Sequence, residues 1–286
     1  MPRSADELVA LLDLETIDVN LFRGTQPDTM LQRVFGGQVA AQALVAGVRT
    51  VEPPLSVHSL HSYFLLPGDT LVPIVYDVER MRDGRSFSTR RVVARQHGRP
   101  IYFMTVSFQV PEEGFEHQDV MPEVPSPESS LDMVELFREQ SPEHAELWLK
   151  EWSALDLRAV GDSRPGGQLS SEVHPARSRV WIRVNGALDD EELTHQATFT
   201  YASDMTLLGS TLVPHGVAVS SPRVQSASLD HAIWFHRPFR SDQWLLYDQV
   251  SPSASGGRGL ALGRVFSQDG ALVASVAQEG LIRPRR

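Results

Sequence analysis

Apolar residues recur every three or four positions at Phe199, Ala202, Met205, Leu208 and Leu212, which predicts a helix over His195–Leu212 with one broad buried face. Asp204 lies beside that face. A carboxylate half buried in an apolar helix must be hydrogen-bonded or put to use, because an unpaired buried charge is costly. Asp204 is therefore the best catalytic candidate, although on this helix alone a capping or solvent-facing aspartate is the commoner outcome. Earlier in the chain, Ala5–Leu12 has short helical spacing and Glu15–Phe22 alternates as a strand does. Val34–Ala46 is rich in Ala and Gly, so its backbone can approach a sheet closely and a central buried helix is expected. Strand-like runs follow at Val57–Leu65, Leu71–Met81, Ser86–Gln96 and Pro100–Gln109, separated by the turn signals Pro67-Gly68-Asp69, Asp83-Gly84 and His97-Gly98. One helix followed by a meander of strands is an α+β pattern.

Between about Pro111 and Glu151 prolines mix with many acids, as in a linker, with helical spacing at Ser130–Phe137 and Glu143–Trp152. Strand-like runs return at Leu155–Val160, at Arg179–Val184 and from Val224 onward. The second set repeats the first. SLHSYFLLP from Ser59 parallels SLDHAIWFHRP from Ser228, Tyr76-Asp77 matches Tyr247-Asp248, Gly84-Arg85 matches Gly257-Arg258, and RPIYFMTVSFQ ending at Gln109 resembles GALVASVAQ ending at Gln278. The helices align too, Phe35-Gly36-Gly37-Gln38 against Tyr201-Ala202-Ser203-Asp204. Two copies of a helix-plus-sheet unit imply the fusion of a fold that would otherwise dimerise about a twofold axis. The expected division is a first unit over 1–111, a linker over 112–154 and a second unit over 155–286.

A chain of 286 residues that is 41% hydrophobic can bury a core in each of two such units. Its net charge of −10 opposes nucleic acid and anionic membranes, so a polyanionic ligand must meet a local basic patch. Seven arginines between Arg80 and Arg99 form one in sequence. The absence of cysteine removes disulfides, thiolate nucleophiles and Cys-based metal sites together. With no signal-peptide pattern after Met1 and no apolar run of membrane-spanning length, the expectation is a cytoplasmic protein that does not insert into membranes. His58, His61, His231 and His236 lie in the matched strands without a close ligand pair, so no metal is expected. No Gly-x-Ser-x-Gly elbow, Walker loop or GxGxxG fingerprint is present.

Phe35-Gly36-Gly37-Gln38, Val57 to Phe64, Tyr201-Ala202-Ser203-Asp204, Leu229 to Pro238 and Val273 to Gly280 together resemble the type II acyl-CoA thioesterases, over nearly the whole chain. The resemblance implies a double hotdog fold, in which each of two fused units wraps an antiparallel sheet around a helix. It also implies hydrolysis of medium- to long-chain acyl-CoA without a cofactor, by water that Asp204, Ser228 and Gln278 hold and activate. Bacterial members often carry Thr where Ser228 stands, a change that keeps the hydroxyl. One carboxylate and two neutral hydrogen-bonding groups suit water activation, so no covalent nucleophile is required. The buried helix N-terminus at Gly37 and Gln38 is suited to donate to the oxyanion. Arg85, Arg90 and Arg91 are candidates for the coenzyme A phosphates. A homodimer or homotetramer is expected. A non-catalytic acyl-CoA binding protein remains an alternative. An enoyl-CoA hydratase of the same fold is less well matched, because the histidine it needs after the aspartate is absent and Gly209 stands at the fifth position.

Overall fold

The computed structural model describes residues 1–172, 174–219 and 221–285. The first half runs α1 (Ala5–Leu12), β1 (Glu15–Asp18), β2 (Leu21–Gly24), α2 (Gly36–Val48), β3 (Ser56–Phe64), β4 (Ile74–Asp83), β5 (Phe87–Gln96) and β6 (Arg99–Gln109). After a long extended stretch come β7 (Leu131–Asp132), α3 (Met133–Gln140), α4 (Pro142–Trp152), β8 (Leu155–Asp162), β9 (Arg177–Val184), α5 (Glu192–Ser203), β10 (Val224–Ser228), β11 (Asp230–Phe235), β12 (Leu245–Ser255), β13 (Arg258–Ser267) and β14 (Leu272–Pro284). Every strand pair is antiparallel, in the order β1-β2-β4-β5-β6-β3-β11-β14-β13-β12-β9-β8-β7, with β10 paired to β14.

Local chemistry sets most boundaries. Ser4 caps α1 by accepting from the Glu7 amide. The single strand expected over Glu15–Phe22 is instead a hairpin: Asn20, at φ 59°, makes the left-handed turn that sends β2 back along β1. Ala40, Ala41, Ala43 and Ala46 of α2 are wholly buried, which lets β5 and β6 close over the helix.

The halves join where β3 pairs with β11. There Ser62 faces His231, His61 faces Ala232 and Tyr63 faces Asp230. In the sequence repeat Ser62 corresponds to His231, His61 to Asp230 and Tyr63 to Ala232, so exchanging the halves maps this register onto itself. A local twofold axis therefore passes between Ser62 and His231, and the Ser62 hydroxyl donates to the His231 carbonyl at 2.7 Å. At the helical layer Phe35 meets Tyr201 edge-on, with ring centroids 5.1 Å apart.

The predicted helix over His195–Leu212 is not continuous. α5 stops at Ser203, Asp204 is its C-cap, and a 3-10 segment, Leu207–His215, lies under β12 and β13 where α2 lies under β4 and β5. Every residue from His195 to Ser203 is buried, so α5 has no solvated face. Its polar side chains bond inward: Thr198 and Thr200 donate to the carbonyls one turn back, and Ser203 to that of Thr200.

An ionic cluster ties the second half together. Asp248 on β12, only 2% exposed, accepts hydrogen bonds from Arg177 and Arg179 of β9 and from Arg264 of β13. Arg264 also holds Asp119 of the connecting stretch at 2.9 Å.

Candidate active site

α5 delivers Asp204 to the N-terminus of α2. No side chain caps α2, because Phe35 occupies the N-cap position, so its first amides lack intrahelical partners. Gly36 makes the approach possible: a Cβ there would lie 2.5 Å from Asp204 Oδ2. A Cβ on Gly37 would collide with the Tyr201 carbonyl. Asp204 is thus packed against helix backbone that only glycine permits.

Three sequence-predicted residues meet here. Ser228, at the end of β10, donates to Asp204 Oδ1 at 3.1 Å, and Gln278 Nε2, on β14, donates to the same oxygen at 2.5 Å. The Gly37 backbone amide lies near enough to the carboxylate to favour its charged form. Gln278 is fully buried and its Oε1 has no protein donor. Burial pushes the Asp204 carboxyl up to about 6; the hydrogen bonds from Gln278 and Ser228, the Gly37 backbone amide and the nearby Arg33 guanidinium oppose that rise without cancelling it. If the ionised carboxylate is the working form, kcat/KM should fall with decreasing pH through an apparent pKa near 6. A rate-against-pH profile that stays flat from pH 7 to about 4.5 would exclude it.

The other sequence candidates are placed differently. The Gly37 amide stands at the start of α2 beside the Asp204 carboxylate. The Gln38 side chain turns away to Gln26 Oε1 and the Thr25 carbonyl, leaving only its backbone amide at the helix N-terminus. Gln38, Ser59 and Gln109, the first-half counterparts in the repeat, do not converge: Ser59 is buried in β3 and Gln109 donates to Glu112. Arg90 is corrected outright. It is 1% exposed, and its guanidinium binds Thr50, Asp83 and the carbonyls of Arg82 and Thr89, because its place in the alternation of β5 turns it inward. Arg91 pairs with Glu79 at 3.6 Å, and Arg85 lies in the exposed β4–β5 turn. Neither reaches the cavity described next. His58, His231 and His236 each place a ring nitrogen against a serine, Ser107, Ser203 and Ser275.

Asp204 and Ser228 form part of the wall of a cavity of about 900 Å³. Its remaining wall is mostly apolar, from Val34, Phe35 and Val39, from Phe64–Leu66 and Ile101, and from Met205 and Leu208. Trp152, the last residue of α4, also lines it, which gives the connecting segment a place in the site. Among the described residues the charged side chains of its wall besides Asp204 are Arg33 and Arg285, which sequence reasoning missed because they lie far apart in the chain and outside the arginine-rich run.

A carboxylate held by a hydroxyl and an amide at the wall of an apolar cavity, between two sheet-wrapped units, defines a hotdog-fold hydrolase. The acyl-CoA thioesterase family matches residues 162–281, and the N-terminal domain of acyl-CoA thioesterases matches residues 25–109. The chain is 41% identical to acyl-CoA thioesterase 2 of Haemophilus influenzae, over 97% of each chain, and 40% identical to human acyl-coenzyme A thioesterase 8, over 96% of this chain and 88% of that one. It superposes on the crystal structure of an acyl-CoA thioesterase II from Mycobacterium marinum with a TM-score of 0.83 at 45% identity, covering 97% of this chain and 98% of the other. The chain belongs to the acyl-CoA thioesterase family, a family of thioester hydrolases.

Proposed function

We propose that the protein hydrolyses medium- to long-chain acyl-CoA to the free acid and coenzyme A at one site per chain, with Asp204 as general base. The observation that carries this reading is the convergence of Ser228 and Gln278 on one oxygen of Asp204 at the wall of an apolar cavity. Ser228 and Gln278 fix the carboxylate and help to position a water molecule. The carboxylate takes a proton from that water as its oxygen bonds to the thioester carbon, and the carbonyl becomes an oxyanion facing the amides at the start of α2. Collapse of the intermediate breaks the C–S bond, and the proton held by Asp204 passes to the departing thiolate. The apolar wall takes the acyl chain.

Release of thiol from palmitoyl-CoA, followed with a colorimetric thiol reagent, tests this function. Multiple turnovers are expected, and binding without turnover would make the protein an acyl-CoA carrier. Ser228 positions water and forms no ester. Mass spectrometry of the protein during a single turnover should find it unmodified, and Ser228→Ala should lose roughly 10-fold in kcat. An acyl adduct on Ser228 would replace this mechanism with a covalent one.

A further inference from the structure

Among the described residues 20 ion pairs form, in a chain of net charge −10, and Arg33 and Arg285 are in none of them. Both are exposed and both line the cavity that holds Asp204. They reach it from opposite halves. Arg33 comes from the segment before α2 and is steadied by one hydrogen bond, from Nη2 to the Ser226 carbonyl at 3.0 Å, which leaves its other donors free. Arg285 follows β14, and its backbone amide is anchored on the Arg223 carbonyl at 2.8 Å. Ser226 belongs to β10, the strand that ends at Ser228, so Arg33 stands two residues along that strand from the hydroxyl that holds the carboxylate.

Among the described residues the wall therefore carries two cations outside any ion pair and one acid, and the acid is drawn back against α2. A mostly apolar cavity with guanidinium groups at its exposed margin suits a ligand with a greasy end and a polyanionic end. The field of the rest of the molecule repels that anion, so the local cations must attract it. We propose that Arg33 and Arg285, rather than Arg85 and Arg91, bind the phosphate groups of the coenzyme A half of the substrate. This assignment rests on the thioesterase reading above. It orients the substrate, with the nucleotide at the arginine margin, the thioester at Asp204 and the acyl chain along the Phe64–Leu66 and Leu208 side.

The test compares two thioesters of the same acyl chain, one of coenzyme A and one of N-acetylcysteamine, which has the thioester but no phosphate. Arg33→Ala and Arg285→Ala should each lower kcat/KM for the acyl-CoA about 10-fold, or about 1.4 kcal/mol, chiefly through KM. Neither should change kcat/KM for the N-acetylcysteamine thioester by more than about twofold at a pH well above the Asp204 transition. Added salt should weaken wild-type use of the acyl-CoA and leave the uncharged thioester unaffected. Calorimetric titration with free coenzyme A supplies a readout without turnover, and both variants should bind it about 10-fold more weakly. Equal losses on both thioesters, unchanged coenzyme A affinity, or the same discrimination produced by Arg85→Ala and Arg91→Ala instead would overturn the assignment. A wild-type protein that binds coenzyme A through these arginines but hydrolyses neither thioester would retain the phosphate site and refute the thioesterase reading.

Discussion

Asp204→Asn should abolish nearly all turnover and make the protein more stable. The base contributes on the order of 10² to 10⁴-fold to the rate, and asparagine cannot take a proton from water. The same carboxyl is held in a place that disfavours its charge, since burial lifts it from 3.8 to about 6. Because the folded state holds this proton more tightly than the unfolded chain does, ionisation of Asp204 opposes folding. The cost is absent below about pH 4, grows between pH 4 and 6, and is complete above, where it reaches roughly 3 kcal/mol. Asparagine keeps the shape and the hydrogen-bonding capacity toward Ser228 and Gln278 without the charge. Thermal unfolding at pH 7 should therefore show a higher Tm for the variant, and the difference should close as the pH falls to 4. Turnover within a few fold of wild type would exclude Asp204 as the base, and a lower Tm at pH 7 would show that its charge is satisfied in the resting site.

Asp248→Asn should have the opposite effect on stability, costing about 3–5 kcal/mol, as is usual when one partner of a buried ionic cluster is removed. The substitution leaves Arg177, Arg179 and Arg264 directed at a neutral group, with Glu172 as the remaining acid beside Arg177 and Arg179. The hydrogen bonds from Arg264 and Arg179 and the charge of Arg177 hold the Asp248 carboxyl below the usual carboxylate range in spite of its burial. Its contribution to stability is accordingly present above the ordinary carboxylate pKa and is lost as the pH falls through the lowered value. Urea unfolding at pH 7 should reveal the full difference and unfolding near pH 3 a smaller one. A loss under about 1 kcal/mol at pH 7 would mean that the arginines are equally well satisfied by solvent and Glu172.

Much of the fold was legible because turns and alternation are local signals. The Pro67-Gly68-Asp69 and His97-Gly98 breaks delimit β3 to β6 to within a few residues, and the register of β3 on β11, which sequence did not give, obeys the twofold relation that the repeat implied. The helix before Asp204 was harder to bound. Apolar spacing continued to Leu212, but α5 is buried on every side, so spacing did not describe one face, and the chain changes to 3-10 geometry beyond Asp204. Asp18-Val19-Asn20 carried a turn signal inside an alternating run, and the alternation concealed it. Asp204, Ser228 and Gln278 could be nominated from the resemblance; their convergence joins a helix end to a strand residue 74 positions further along the chain and needs a helix from the other half. The arginines mark the limit of a linear reading. Arg90 stands in a basic run, yet pleat parity points it inward, whereas Arg33 and Arg285, isolated in sequence, meet at one cavity.

The β3–β11 seam also dictates an order of events during synthesis. β3 is complete once Phe64 has been made, and its outer edge belongs to β11, which begins at Asp230. At about 5–20 residues per second, the ribosome needs on the order of ten seconds to supply that partner. Throughout that interval the nascent first half presents an unpaired strand edge with Tyr63 at the rim. By the local symmetry, the surface best matched to that edge is the same edge on another nascent chain. Fusing the two units in one polypeptide raises the local concentration of the correct partner and so favours the intramolecular seam over pairing between neighbours on a polysome.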